Sequence, residues 1–291
     1  MRLARIRLGI CGLNSQVVVR CANPSVSRAQ LIMQPTSEIP FEATLGERVE
    51  EMLDACTRCG KCVDVCPSVK PAGIADTKSE DIISGILELV RTGTGPEASR
   101  KWAASCMLSG ECIKACSYGV NPRFLLAMAR LGMARAENEL AERRRQGVER
   151  YREISRDVTV LSRLQLDTEL LERLGQKSAS VSSPVETEDF VFYTGCNVLK
   201  TPHIALLALD IMDALGLTYQ VMGGPSHCCG ISQLRSGDAE MAGRMGSNTM
   251  KKLSHSKLGQ VVSWCPSCYV QYTETILPTI ERQRAARSRS R

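Results

Sequence analysis

The chain has 291 residues, 14 cysteines and a formal net charge of +6, with 43% hydrophobic and only 4% aromatic residues. Such a length supports two domains with cores of their own, and cysteines that cluster in so long a chain exclude a disulfide-dense scaffold and point to thiolates in a reducing compartment. The positive charge does not indicate nucleic acid: Arg2, Arg5, Arg7, Arg20 and Arg28 stand in an acid-free start and five arginines follow Glu281, leaving the body between mildly acidic.

Residues 1–38 read as a disordered or wrongly assigned start, with Met33 as an alternative beginning, and Cys11 and Cys21 within it receive no role. ERVEEML (47–53) suits a short amphipathic helix that delivers the chain into the first cysteine run. SEDIISGILELVRTG (79–93) predicts a helix with Ser79 as N-cap, Ile82, Ile83, Ile86, Leu87 and Val90 on its apolar face, and Gly93 as its stop. Pro122 starts a helix through FLLAMARLGMARAENELAERRR. A helical stretch over 151–175 offers Leu161, Leu164, Leu170, Leu171 and Leu174 as a stripe. The Ser-rich segment 176–188, interrupted by Pro184, reads as a linker. Beyond it strands (FVFYTG, TYQVMG, QVVSW) alternate with helices (HIALLALDIMDALG, 238–254, SCYVQYTETIL), which predicts a small, mostly parallel sheet. No apolar run reaches the roughly 18 to 20 residues of a membrane span.

CTRCGKCVDVCP places Cys56, Cys59, Cys62 and Cys66 at offsets 0, 3, 6 and 10, followed by Pro67. Three closely spaced thiolates can face one iron–sulfur cube, Gly60 permits the close approach, and the fourth cysteine of such a run ligates the other cluster of a pair. CMLSGECIKACS repeats the offsets with Cys106, Cys112 and Cys116, but puts Ser109 where a cysteine would stand. The crossed arrangement assigns one 4Fe-4S cluster to Cys56, Cys59, Cys62 and Cys116. A second, 4Fe-4S or 3Fe-4S, falls to Cys66, Cys106 and Cys112, with Ser109 at the altered corner. Zinc on the first run and an empty second site are the bland alternatives.

Further on stand TGC with Cys196, HCCG with Cys228 and Cys229, and WCPSC with Cys265 and Cys268, separated by 31 and 35 residues. Each lies at a predicted strand end, so they converge on one edge of the sheet. Over roughly residues 47–280 the chain resembles the iron–sulfur subunits of the heterodisulfide reductase superfamily, whose relatives include those of glycolate oxidase and anaerobic glycerol-3-phosphate dehydrogenase. The resemblance implies an α+β fold, with an all-α ferredoxin-like two-cluster domain (39–135), a helical connector and linker (136–188), a small α/β cysteine-rich CCG domain (189–280) and a basic tail (281–291). It also implies a noncubane 4Fe-4S cluster in the CCG domain, for which zinc is the alternative, and, as full-length relatives usually carry a second CCG domain, either an incomplete chain or a partner that supplies the other.

These features predict an electron-carrying subunit. VMGGPSHCCG lacks the dinucleotide fingerprint, so a flavoprotein dehydrogenase or other heterodisulfide reductase-like subunits are the expected partners, in the cytoplasm or a peripheral membrane complex. The rival reading is a zinc-bound scaffold or assembly protein without turnover. His227 is a candidate donor to a cluster sulfur or an ordinary loop residue.

Overall fold

The computed structural model describes residues 18–20, 40–175, 190–254 and 260–289. Cys11, Cys21, Met33 and the 176–188 linker lie outside them. The fold is α+β: helices dominate, and a small sheet sits in the C-terminal half.

In the N-terminal half, α1 (Phe41–Ala55) leads into a cysteine loop and the short α2 (Lys61–Asp64). After α3 (Ser79–Thr92), the same order recurs in α4 (Glu97–Ser105), a second loop and α5 (Glu111–Lys114). The α3 face buries Ile82, Ile83, Ile86 and Leu87 as its spacing predicts, and Gly93 caps it at φ 76°. Ser79 is not the N-cap. That place falls to Lys78, and the Ser79 hydroxyl donates to Asp64 instead, tying α3 to α2.

Helix α6 (Pro122–Glu137) begins where Pro122 predicts, with Asn121 Oδ1 accepting from the Phe124 amide at 3.0 Å. It crosses α3 at glycine: a Cβ on Gly132 would stand 2.4 Å from the Leu89 carbonyl oxygen. The single helix expected through ENELAERRR is two, because Asn138 turns extended before α7 (Leu140–Gln165). The expected leucine stripe also fails in part. Leu161 and Leu164 face solvent, while Val158 and Ser162 make the contact; Asp167 then restarts the chain as α8 (Thr168–Arg173), after which Leu174 is buried.

The sheet has the order β1-β4-β2-β3. Strand β2 (Phe190–Gly195) lies parallel to both β3 (Tyr219–Gly223) and β4 (Gln260–Ser263), and its buried run FVFYTG is that of a central strand. Within the segment expected to be disordered, Val18–Arg20 forms β1, which adds an antiparallel edge to β4 with Val18 opposite Val262. Helices α9 (Pro202–Ala214), α10 (Ile231–Arg235) and α11 (Ala239–Ser254) follow the first two parallel strands. After β4 come α12 (Pro266–Val270), a π-helical turn (Gln271–Ile276) and α13 (Leu277–Arg289). The basic end is therefore a continuing helix over the described residues rather than a free tail. Arg282 pairs with Glu47 and Glu51 of α1, since the acidic face of α1 lies beside it.

One apolar core runs through both halves, from Phe41, Leu45 and Ile86 to Tyr193, Leu253 and Ile276. Phe41 lies flat against α11, where a Cβ on Gly243 would come within 2.3 Å of its ring. Arg48 reaches across, donating to the Glu274 carbonyl at 2.8 Å and to Thr279 Oγ1 at 2.8 Å, with its guanidinium 4.7 Å from the Phe124 ring centroid. Phe41→Ala should therefore lower the urea midpoint reported by Trp102 and by Trp264 together, a loss of about 3–5 kcal/mol. A midpoint that moves for one tryptophan alone would show that the halves do not share a core.

Candidate functional site

The two cysteine loops have the same backbone. In the first, Arg58 (φ 59°) and Gly60 (φ 77°) are left-handed; in the second, Leu108 (φ 65°) and Gly110 (φ 81°) are. Each loop leaves a helix whose C-cap is a cysteine in extended conformation, Cys56 or Cys106, and enters a four-residue helix. Ser109 thus occupies the backbone place of Cys59. Left-handed Arg58 and Leu108 cost about 1–2 kcal/mol each, a strain that a bound group would offset.

Cys56, Cys59, Cys62 and Cys116 together line one partly open cavity, walled on its inner side by Ile83, Val120 and Leu125. These are the four thiols expected to share a cube. Burial, then Cys112, Cys56 and Cys59, push the Cys62 thiol up to about 12. Cys112 is likewise pushed up to about 11, by burial and then by Cys106 and Cys66, so the second expected set is also gathered. Helices α2 and α5 touch, which places Cys62 and Cys112, both buried, between the two sets. Thiols so crowded cannot ionise together without a cation to share their charge, which the iron of a bound cluster would supply. Four thiols spread round one pocket suit a cube better than one ion, because a tetrahedral zinc with ~2.3 Å bonds would draw its sulfurs to within ~3.8 Å of one another. Among the described residues no group of three or more His, Cys, Asp or Glu side chains is arranged for a single metal ion.

The other five cysteines meet at the C-terminal edge of the sheet, as the strand-end reading expects. Their thiols form a chain of contacts, Cys196 to Cys228 to Cys229 to Cys268 to Cys265. Cys228 is held down because it accepts from Cys196 and Cys229, and the Gly230 amide donates to its sulfur at 3.4 Å. Cys265 is brought down to about 6 by the Cys268 thiol, aided by the Cys268 and Ser267 amides. The backbone comes close to the sulfurs at Gly195 (φ 73°), where a Cβ would lie 3.2 Å from Cys268 Sγ. All twelve cysteines of the described residues are free thiols.

Two family models match these two halves. A 4Fe-4S dicluster domain matches residues 55–121, and the cysteine-rich CCG domain matches residues 190–273. One component of the dihydromethanophenazine:CoB–CoM heterodisulfide reductase of Methanosarcina barkeri is 21% identical over 240 residues, which cover 75% of this chain and 56% of that protein. The chain carries the domain pair of a heterodisulfide reductase-type iron–sulfur subunit. It spans little more than half the length of that relative. No solved structure matches it.

The matched spans enclose all seven cysteines of the dicluster half and all five of the CCG half. Several residues around the sulfurs of this heterodisulfide reductase-like chain escape a reading of the sequence. Trp102 Nε1 donates to Cys66 Sγ at 3.2 Å. Arg123 donates through Nη1 to the Leu108 carbonyl at 2.7 Å and through Nε to Glu274 Oε1 at 3.0 Å, tying the second loop to the CCG half. Tyr193, fully buried on β2, has its hydroxyl 3.9 Å from Cys268 Sγ and 3.4 Å from the Tyr272 hydroxyl. None of these contacts carries a sequence signal, since the partners stand 15 to 151 residues apart in the chain. His227 does not reach a sulfur in any described hydrogen bond. Its Nδ1 pairs with the Gly223 carbonyl oxygen at 2.7 Å and with Ser226 Oγ at 3.1 Å, and burial lowers its pKa.

Glycine at position 60 tests the loop. A Cβ there would lie 2.7 Å from Ser79 Cβ, whereas one on Gly73 (φ 66°) meets nothing within 4 Å. Gly73→Ala should cost only the left-handed backbone, about 1–2 kcal/mol. Gly60→Ala should cost more and lower the iron bound per chain. Equal losses of stability with equal iron would show that the Gly60 loop does not set the site.

Proposed function

We propose that the chain is the iron–sulfur electron-transfer subunit of a heterodisulfide reductase-like or flavin-dependent dehydrogenase complex. The observation that carries this reading is the repeated left-handed loop, which gathers four thiols round one cavity and three more beside it, in one core with Cys229, Cys265 and Cys268 of the CCG set.

On this reading Cys56, Cys59, Cys62 and Cys116 hold a 4Fe-4S cluster; Cys66, Cys106 and Cys112 hold a second cluster, 4Fe-4S or 3Fe-4S; and Cys196, Cys228, Cys229, Cys265 and Cys268 hold the noncubane cluster. Bound clusters supply one-electron oxidation and reduction, which no side chain here offers. The chain's own contribution is to fix their spacing, exclude water and set their charge environment. Ile83, Val120 and Leu125 wall the first cavity, and α2 packed on α5 fixes the distance between the first two sites. At the CCG edge the Gly230 amide donates to Cys228 Sγ at 3.4 Å, which favours negative charge on that sulfur. With no dinucleotide fingerprint in the chain, a flavoprotein partner would supply two-electron chemistry. No described helix is long and apolar enough to cross a membrane.

Anaerobic purification with iron, sulfide and zinc analysis tests the reading, which expects roughly eight to twelve iron per chain with matching sulfide. Zinc without iron would replace it with a scaffold role. The altered corner has its own test: Ser109→Cys should change the paramagnetic resonance of one centre, with firmer retention of its fourth iron, and leave the other unchanged. Identical spectra and iron content would remove Ser109 from the site.

A further inference from the structure

The two dicluster sites differ in the hydrogen-bond donors that surround their sulfurs. At the second, the indole N–H of Trp102 points at Cys66 Sγ from 3.2 Å, and the ring is fully buried, so water does not compete for it. Arg130 is held against the same site: its guanidinium donates to the Ala103 carbonyl, in the last turn of the helix that ends at Cys106, and also reaches the Cys106 side chain. No described acid pairs with Arg130. Arg123 stands near Cys112 and Cys106 as well, but Glu274 neutralises it, so its net effect is small. Around Cys56, Cys59, Cys62 and Cys116, by contrast, no described side chain donates to a sulfur; Ile83, Val120 and Leu125 form the inner wall, and Lys61 at the rim is exposed, so water screens its charge.

Hydrogen bonds to cluster sulfurs and nearby positive charge stabilise the reduced, more negative form, and aliphatic surroundings do not. We propose that Trp102 and Arg130 are positioning residues that hold the reduction potential of the second centre, on Cys66, Cys106 and Cys112, above that of the first. The inference rests on the iron–sulfur reading of both sites. It orders them: the first is the stronger reductant, and the second, facing the CCG half through Arg123 and Glu274, is the better acceptor.

The test is a redox titration of the cluster-loaded full chain followed by paramagnetic resonance, with signals assigned through Cys59→Ala, which removes the first centre. In the unaltered protein the second centre should reduce at the higher potential. Trp102→Phe keeps the ring and loses the donor; Arg130→Gln loses the charge. Each should lower the reduced-to-oxidised ratio of the second centre at fixed ambient potential by up to about tenfold, or 59 mV for one electron, with the first centre unmoved. Ser109 is kept throughout, so its own effect is the same in the unaltered protein and in each variant and cancels from the shifts. If burial of Trp102 makes its variant unstable, Arg130→Gln carries the test alone. Iron-loaded protein in which the second centre's potential is unmoved by the variants, or lies below the first, overturns this inference and leaves the iron–sulfur reading standing. Protein without iron overturns both.

Discussion

Crowded thiols are the constraint on which the rest depends. Seven cysteines lie about two short helices, and burial with mutual repulsion keeps Cys62 and Cys112 protonated far above the ordinary thiol range. A chain does not gather so much latent negative charge in an apolar setting unless a cation is to share it. Backbone strain shows the same bias: Arg58 and Leu108 accept left-handed conformations that ordinary turns give to glycine, and they do so at the same step of each loop. Two copies of one costly turn, each opening on a cysteine and closing on another, make the second run a counterpart of the first in spite of Ser109.

The CCG half is not an appendage. Phe41 on α11, Arg48 on the π-helical turn and α13, and Arg123 on Glu274 place three contacts between the halves, one apolar and two charged. The charged ones are largely buried, so removing one partner would leave the other without compensation. Their location follows the chemistry: Arg123 also grips the Leu108 carbonyl, so the loop of the second site and the turn that follows the CCG cysteines are held by one side chain. A fixed spacing between redox sites is what such bracing would provide.

Much of this was legible in the sequence. Periods of 3.6 marked the buried face of α3, Pro122 and Gly93 marked helix ends, and the continuous apolar run of FVFYTG marked a central strand. Cysteine offsets pointed to Cys56, Cys59 and Cys62, because ligand geometry is local to a tight loop, and the pairing of two such runs added Cys116, the fourth thiol that lines the first cavity. Side-chain alternatives of equal chemistry were less legible. Ser79 could cap its own helix or bind Asp64, and tertiary contact with α2 decided. The leucines of α7 and α8 gave no phase, since two residues at Leu166 and Asp167 reset the helix and left Leu164 in solvent. The long apolar helix α9 shows the same limit, burying Ala205 and Leu209 while Ile204, Leu207 and Ile211 stay exposed. Long-range polar partners such as Trp102 to Cys66 or Arg48 to Thr279 have no sequence period at all. The first exists only once α4 has packed beside the first cysteine run, the second only once the halves have met.

The central claim is that two crossed sets of thiols enclose two adjacent iron–sulfur clusters. Diffraction from anaerobically grown crystals at the iron absorption edge measures this directly. The account predicts anomalous density between Cys56, Cys59, Cys62 and Cys116, and a second peak between Cys66, Cys106 and Cys112 beside Ser109. Density at neither place, or a single compact peak that appears only at the zinc edge, would contradict it.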